Sequence, residues 1–390
     1  MFRLLLVLIF GCLSLTARGE LLDSLPRIPQ EPLTPELRQL AAAAQREPEN
    51  VAPAIELARA WYRAASGEGE LRFAGYARGA LDRWWNLAAP PDEVLEMRAN
   101  LRQYVHDFDA ALADLGALLA RQPEHAQALA IRAAIRTVRA EYAEARADCA
   151  RLAPLAGELI GFACGASLDG LTGDAAASHA ALSARLANSR VRGEQRLWVV
   201  LRLAEMAERL GNAAAAERHY RQALFLNPRD QYTLVNYADF LLDHGRPADA
   251  IPLLHDRTGS EHLLLRLVLA ERQTGAAEFT LHADQVATQF AEARRAGHAV
   301  HEQEEARFVL RVQGDAGRAL RLALANWRVQ REPRDARAVL EAALAAGNAA
   351  AARPVLQWMA ANHIADVRLG ALAAQLDTLP RANTTADAVN

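Results

Sequence analysis

The sequence predicts an all-α chain built from antiparallel helix pairs stacked into a solenoid. Three observations carry this expectation. Apolar residues make up 52% of the chain and aromatics only 6%, with alanine dominating the apolar share and β-branched runs scarce. Alanine loses no side-chain entropy on entering a helix and lets neighbouring helices approach closely. A helix-turn-helix pattern recurs along the chain at a step of 34 residues, from Gly211 to Gly245 and from Ala216 to Ala250. Finally, 390 residues exceed the roughly 250–300 at which a single core stops growing, which calls for several domains or a repeat array.

Residues 1–19 read as a secretory leader. Arg3 provides the basic start, Leu4 to Leu15 the short apolar stretch, and Ala17 and Gly19 the small residues before a cleavage point ahead of Glu20. Lipoprotein processing at Cys12, which follows Ile9-Phe10-Gly11, is the competing reading. The apolar stretch is too short to span a bilayer, and no later segment reads as a transmembrane helix. The mature chain is therefore expected to be periplasmic or secreted, with lipid anchoring to the envelope as the alternative. Residues 20–33, punctuated by Pro26, Pro29 and Pro32, read as a linker. Thr34 then caps a helix opened by Pro35.

The repeat pattern occupies 34–273. Its best units run from Arg209 to Asp230 and from Tyr232 to Leu254. In the first, a helix ends at Leu210-Gly211-Asn212, a second carries Ala216, Tyr220 and Ala223, and Asn227-Pro228 stops it. In the second, the helix holding Tyr237-Ala238 ends at Asp243-His244-Gly245, and the next carries Ala250 and Leu254. Seven further units match in part, around Pro48, Trp61, Asp107-Phe108, Glu141-Tyr142, Gly173-Asp174, Gly314-Asp315 and Gly347-Asn348, with Gly275 closing another first helix. The unit from Val51 has a Gly-rich insertion at Ser66–Gly69. Residues 274–306 depart from the spacing and read as an irregular connection or a long helix from about Ala277 to Ala296. Repeats resume over 307–379 and end in a capping helix near Asp366–Leu376. Residues 380–390 are polar and read as a disordered tail.

This pattern resembles the tetratricopeptide repeat, and in particular its exported bacterial type. The resemblance covers almost the whole mature chain. It implies a right-handed superhelical solenoid whose first helices line a concave groove that holds an extended peptide or a partner helix. Carried onto the best units, it places Arg202, Glu205, Arg209, Asn236 and Asp239 in that groove, with Arg266 and Arg272 from the unit that follows. Arginine there could pair bidentately with a carboxylate, and Asn236 could hold a peptide backbone. Some members clamp a C-terminal carboxylate with lysine and asparagine; this chain has no lysine, so that clamp is not matched. Glu205, Asp239 and Asp243 give the groove mixed charge.

A formal net charge of −3 provides no electrostatic footprint for nucleic acid. No zinc-protease, nucleophile-elbow, phosphate-loop or dinucleotide motif occurs, and no C-x-x-C. Glu304-Glu305 reads as a solvated face. His298, His301 and Glu302 form the best metal-like cluster, but Gly297 points to a loop, so no metal or cofactor is expected. Cys149 and Cys164 fall on neighbouring helices at similar distances from the Pro154–Gly157 turn, which makes a disulfide geometrically plausible; two buried thiols are the alternative. Of the tandem tryptophans, Trp84 fits a core position and Trp85 a partly exposed one. The expectation is a non-catalytic scaffold of the cell envelope that binds a protein or peptide in its groove, with small-ligand or metal handling as the alternative and an enzyme less favoured.

Overall fold

The computed structural model describes residues 19–29, 31–295 and 302–379. Among these residues every regular element is helical. Residues 1–18 of the expected leader, with Cys12, the pair His298 and His301, and the expected tail from Pro380 lie outside the described residues. No described helix is long and apolar enough to cross a membrane.

The chain divides into two compact units, with the division falling after Asp114. The first contains α1 (Gly19–Ser24), α2 (Pro35–Arg46), α3 (Val51–Glu68), α4 (Leu71–Ala80), α5 (Asp82–Trp85), α6 (Asp92–Tyr104) and the start of α7 (Phe108–Arg121). The segment 20–33, expected as a linker, opens with helix α1, whose Leu21 and Leu22, with Leu25 just beyond, are buried. Their spacing puts all three on one side of a helical turn. Gly75 and Gly79 let the backbone at Pro26 and Arg27 press against α4, where a Cβ would collide.

The tandem tryptophans reverse their expected places. Trp85 is 5% exposed and lies under the guanidiniums of Arg78, Arg98 and Arg102, while Trp84 is only partly buried. A break at Leu81 (φ −103°, ψ 8°) separates α4 from the single turn α5. The break resets the helical phase on which the expectation rested.

The second unit continues with α8 (Ala126–Val138), α9 (Tyr142–Ala156), α10 (Glu158–Leu171), α11 (Ala175–Ala187), α12 (Gly193–Arg209), α13 (Ala213–Leu226), α14 (Gln231–Asp243) and α15 (Pro247–Leu254). It ends with α16 (Glu261–Thr274), α17 (Phe279–Arg295), α18 (Glu302–Phe308), α19 (Ala316–Trp327), α20 (Pro333–Ala345), α21 (Arg353–Ala361) and α22 (Val367–Asp377). Consecutive helices pack against one another along nearly all of this run. Gly211 and Gly245, at φ +71° and +67°, make the left-handed turns after α12 and α14, a conformation that costs any other residue a Cβ clash. Asn212 caps α13 and Asp230 caps α14, accepting from Ala215 N at 3.1 Å and Thr233 N at 2.8 Å. Helix α17 falls within 274–306, and α22 falls within the segment read as a final helix near Asp366–Leu376, with Asp366 as its N-cap.

Within this unit the last helices return to the first. One apolar cluster joins Ala133, Tyr142, Cys149, Leu168 and Leu171 to Ala306, Val339, Trp358 and Leu369. Polar contacts follow the same seam: Arg331 N donates to Val138 O at 2.7 Å, Ala365 N to Leu171 O at 3.0 Å, and Trp358 Nε1 to the Tyr142 hydroxyl at 3.2 Å. Cys149 and Cys164 are disulfide-bonded with Cα atoms 5.4 Å apart, tying α9 to α10.

Candidate functional site

The return of the chain encloses the inner faces of α8, α10, α12, α14, α16, α18, α20 and α22 around a cavity of about 720 Å³. That volume lies within the range of ~300–1,000 Å³ typical of ligand sites. Its wall is divided by chemistry. Helices α8 and α10 contribute Ala130, Ala134, Ile160, Leu168 and Leu171, whereas α12 to α22 contribute arginines and carboxylates. The division follows from sequence: the inner face of α8 carries Ala126, Ala130, Ala133 and Ala134 and no charge, and that of α12 repeats Trp198, Arg202, Glu205 and Arg209 at three- and four-residue steps.

Six of the seven groove candidates line this cavity, Arg209 among them. Arg202, Glu205, Asn236, Asp239 and Arg266 also face it, and Arg272 does not, its guanidinium donating instead to the Arg311 carbonyl. These five are largely engaged with one another or with neighbours. Arg202 Nη2 donates to Glu205 Oε1 at 2.7 Å, and the Tyr232 hydroxyl donates to the same oxygen at 2.6 Å. Asn236 Nδ2 is spent on its own helix, donating to Tyr232 O at 2.7 Å. Arg266, 2% exposed, donates to Asp239 Oδ2 at 3.0 Å, and Arg307 binds the other oxygen of the same carboxylate. Burial alone would raise the Asp239 carboxyl, but these two guanidiniums hold it well below the usual carboxylate range.

The structure adds residues that the repeat spacing did not single out. Arg334 Nη2 donates to the Tyr232 hydroxyl at 3.1 Å, its guanidinium lies 5.5 Å from that ring, and the Glu332 carboxylate stands 3.9 Å from its Nε. Arg337 binds Glu341 at 2.7 Å and Asp243 at 2.6 Å. Arg368 binds Glu208 at 2.7 Å and Asp366 at 3.1 Å, and Glu208 also accepts from the Tyr220 hydroxyl. Burial raises the Glu208 carboxyl despite these donors. The three-residue step from Arg334 to Arg337 was a readable signal for one helix face. The pairing of Arg307 with Asp239, 68 residues apart, was not.

No histidine lines the cavity among the described residues, and its cysteine, Cys164, is held in the disulfide. Among the described residues no cluster of His, Cys, Asp and Glu has the arrangement of a metal site. The chain matches no protein-family model, and no curated protein is significantly similar to it.

Proposed function

We propose that this protein is a non-catalytic binding protein of the cell envelope that holds an extended polypeptide segment inside its second unit. The reading takes the helix pairs as tetratricopeptide-type repeats wound in a right-handed superhelix. The observation that carries it is the cavity itself: eight successive inner helices present one continuous wall, apolar on one side and charged on the other. A segment lying along such a wall meets apolar contacts for its side chains and fixed polar groups for its backbone and charges. Arg202, Glu205, Asp239 and Arg266 are mutually paired, so they form a preorganised surface rather than a set of groups to be ordered on binding. Export is supported by the apolar leader with its small residues before Glu20, and by the Cys149–Cys164 disulfide, a bond that persists in oxidising compartments.

Site-specific photo-crosslinking tests this reading. A photoreactive residue replaces Ala134, an exposed wall residue of α8, or Phe225, an 87% exposed side chain of α13 outside the cavity lining. Expressed in a native envelope, the Ala134 probe is expected to capture a discrete polypeptide that the Phe225 probe does not. Equal capture by both probes, or capture by Phe225 alone, would remove the cavity as the binding surface.

A further inference from the structure

Arg209 closes α12, is 9% exposed and lines the cavity, yet it makes no hydrogen bond or ion pair with any described residue. Its Nε is shut away from solvent with no acceptor. Burying a guanidinium without a hydrogen-bonded partner is costly, and burial lowers its proton affinity although the charges of Glu205 and Asp366 act the other way. Neighbouring carboxylates do not supply a partner, because each is committed. Glu205 holds Arg202 and Tyr232, and Glu208 holds Arg368 and Tyr220. Asp366 holds Arg368 and caps α22 through Leu369 N at 3.3 Å. Seven residues earlier on the same helix, the Nε of Arg202 is also buried without an acceptor. The same cavity is lined by Leu168, Leu171 and Leu369.

We propose that Arg209 anchors an anion subsite in this cavity, and that the anion is the carboxylate of a ligand with an apolar body. A guanidinium fork matches a planar carboxylate with two parallel hydrogen bonds. Glu205, Glu208 and Asp366 beside it are matched by Arg202 and Arg368, so the subsite offers one uncompensated positive charge, which favours a monoanion over a dianionic phosphate. The apolar wall takes the body of the ligand. The C-terminus of an apolar peptide and a free fatty acid share this chemistry. The proposal rests on the reading of the cavity as a ligand site, but not on that ligand being a polypeptide.

Isothermal titration calorimetry of the mature chain tests it with four probes: octanoate, the peptide acetyl-Ala-Leu-Leu as the free acid, the same peptide as the amide, and inorganic phosphate. At least one free acid is expected to bind one-to-one, the amide to bind roughly tenfold or more weakly than the acid, and phosphate not to bind. Arg209→Met should lose binding of the free acid by a similar factor while keeping or raising the unliganded melting temperature, since the guanidinium has no hydrogen-bonded partner to lose and its burial is costly; Arg209→Lys should retain part of the affinity. Binding of octanoate without the peptide would uphold the subsite and argue against the polypeptide reading. Failure of both free acids, equal binding of acid and amide, or unchanged affinity in Arg209→Met would overturn the subsite whatever Ala134 crosslinks to. The acid-to-amide comparison uses the unmodified chain, so the outcome stands even if the variant fails to fold.

Discussion

Arg132 grips Asp148 with two parallel hydrogen bonds, Nη2 to Oδ1 at 2.6 Å and Nε to Oδ2 at 2.9 Å, and Arg136 adds a third at 2.6 Å. The same clasp occurs 34 residues earlier, where Arg98 and Arg102 hold Asp114 with matching distances of 2.6 Å, 2.9 Å and 2.6 Å. Arginines four apart share one face of the first helix, and the aspartate comes from the second helix of the pair. Asp148 is 1% exposed, so removing it leaves two partly buried guanidiniums without a counter-charge. Asp148→Ala is expected to destabilise the chain by about 3 kcal/mol, read as a lower urea midpoint with an unchanged slope. Arg59→Ala, which breaks the exposed Arg59–Glu56 pair, should cost less than about 1 kcal/mol.

The clasps show which part of the fold was legible. Helix starts and stops, the Gly211 and Gly245 turns and the buried alanines followed from local chemistry repeated at a fixed step. The inward face of α12 was legible for the same reason, because Arg202, Glu205 and Arg209 share a helical stripe. What the sequence could not reveal was enclosure. The contacts of Trp358 with Tyr142 and of Arg331 with Val138 join positions far apart in the chain, and neither helical period nor capping encodes them. An open groove was therefore the natural expectation where the structure has a cavity. The Trp84–Trp85 reversal has a more local cause, a phase break at Leu81, two residues after Gly79, that helical periodicity does not register.

The Cys149–Cys164 bond closes a loop across 15 residues. On the chain-entropy model such a loop contributes roughly 3 kcal/mol by restricting the unfolded chain. The double variant Cys149→Ala, Cys164→Ala should unfold at a correspondingly lower urea concentration than the oxidised chain. Reductant should lower the stability of the unmodified chain and leave that of the double variant unchanged.

Tyr232 joins three helices through one hydroxyl, donating to Glu205 on α12 and accepting from Arg334 on α20. Tyr232→Phe keeps the ring beneath the two guanidiniums but removes the bridge. Hydrogen bonds to charged partners are worth about 1.5–3 kcal/mol, and solvent in the cavity can replace part of this. The expected loss is therefore about 1–2 kcal/mol in denaturant titration. Tyr232→Leu, which also removes the ring, should cost more.

His179 and His219 form an edge-on pair with ring centroids 5.7 Å apart, between α11 and α13. Burial and then the charge of Arg218 lower the proton affinity of His179; burial, then the His179 ring and Arg218, push His219 down to about 4 from an ordinary 6.5, against a hydrogen bond with Gln222 that acts the other way. His179 Nε2 is buried without a partner. Below pH 6.5 the unfolded chain therefore binds protons that the folded chain refuses. Stability follows the excess of protons in the unfolded state, so the pair costs nothing above pH 6.5 and destabilises the fold progressively as pH falls toward 4. One pKa unit corresponds to about 1.4 kcal/mol; with an allowance for the partial exposure of His219, its contribution is about 2 kcal/mol by pH 4. Asp335 works in the opposite sense, because burial and then Glu332 raise its carboxyl to about 7, which favours the folded chain as pH falls below that value. The test is accordingly a difference between two stability profiles, the unmodified chain against His219→Gln, in which the Asp335 contribution cancels. The variant is expected to lose less stability between pH 6.5 and pH 4 than the unmodified chain. Parallel profiles would mean that the imidazole of His219 takes up its proton as readily in the folded chain as in the unfolded one.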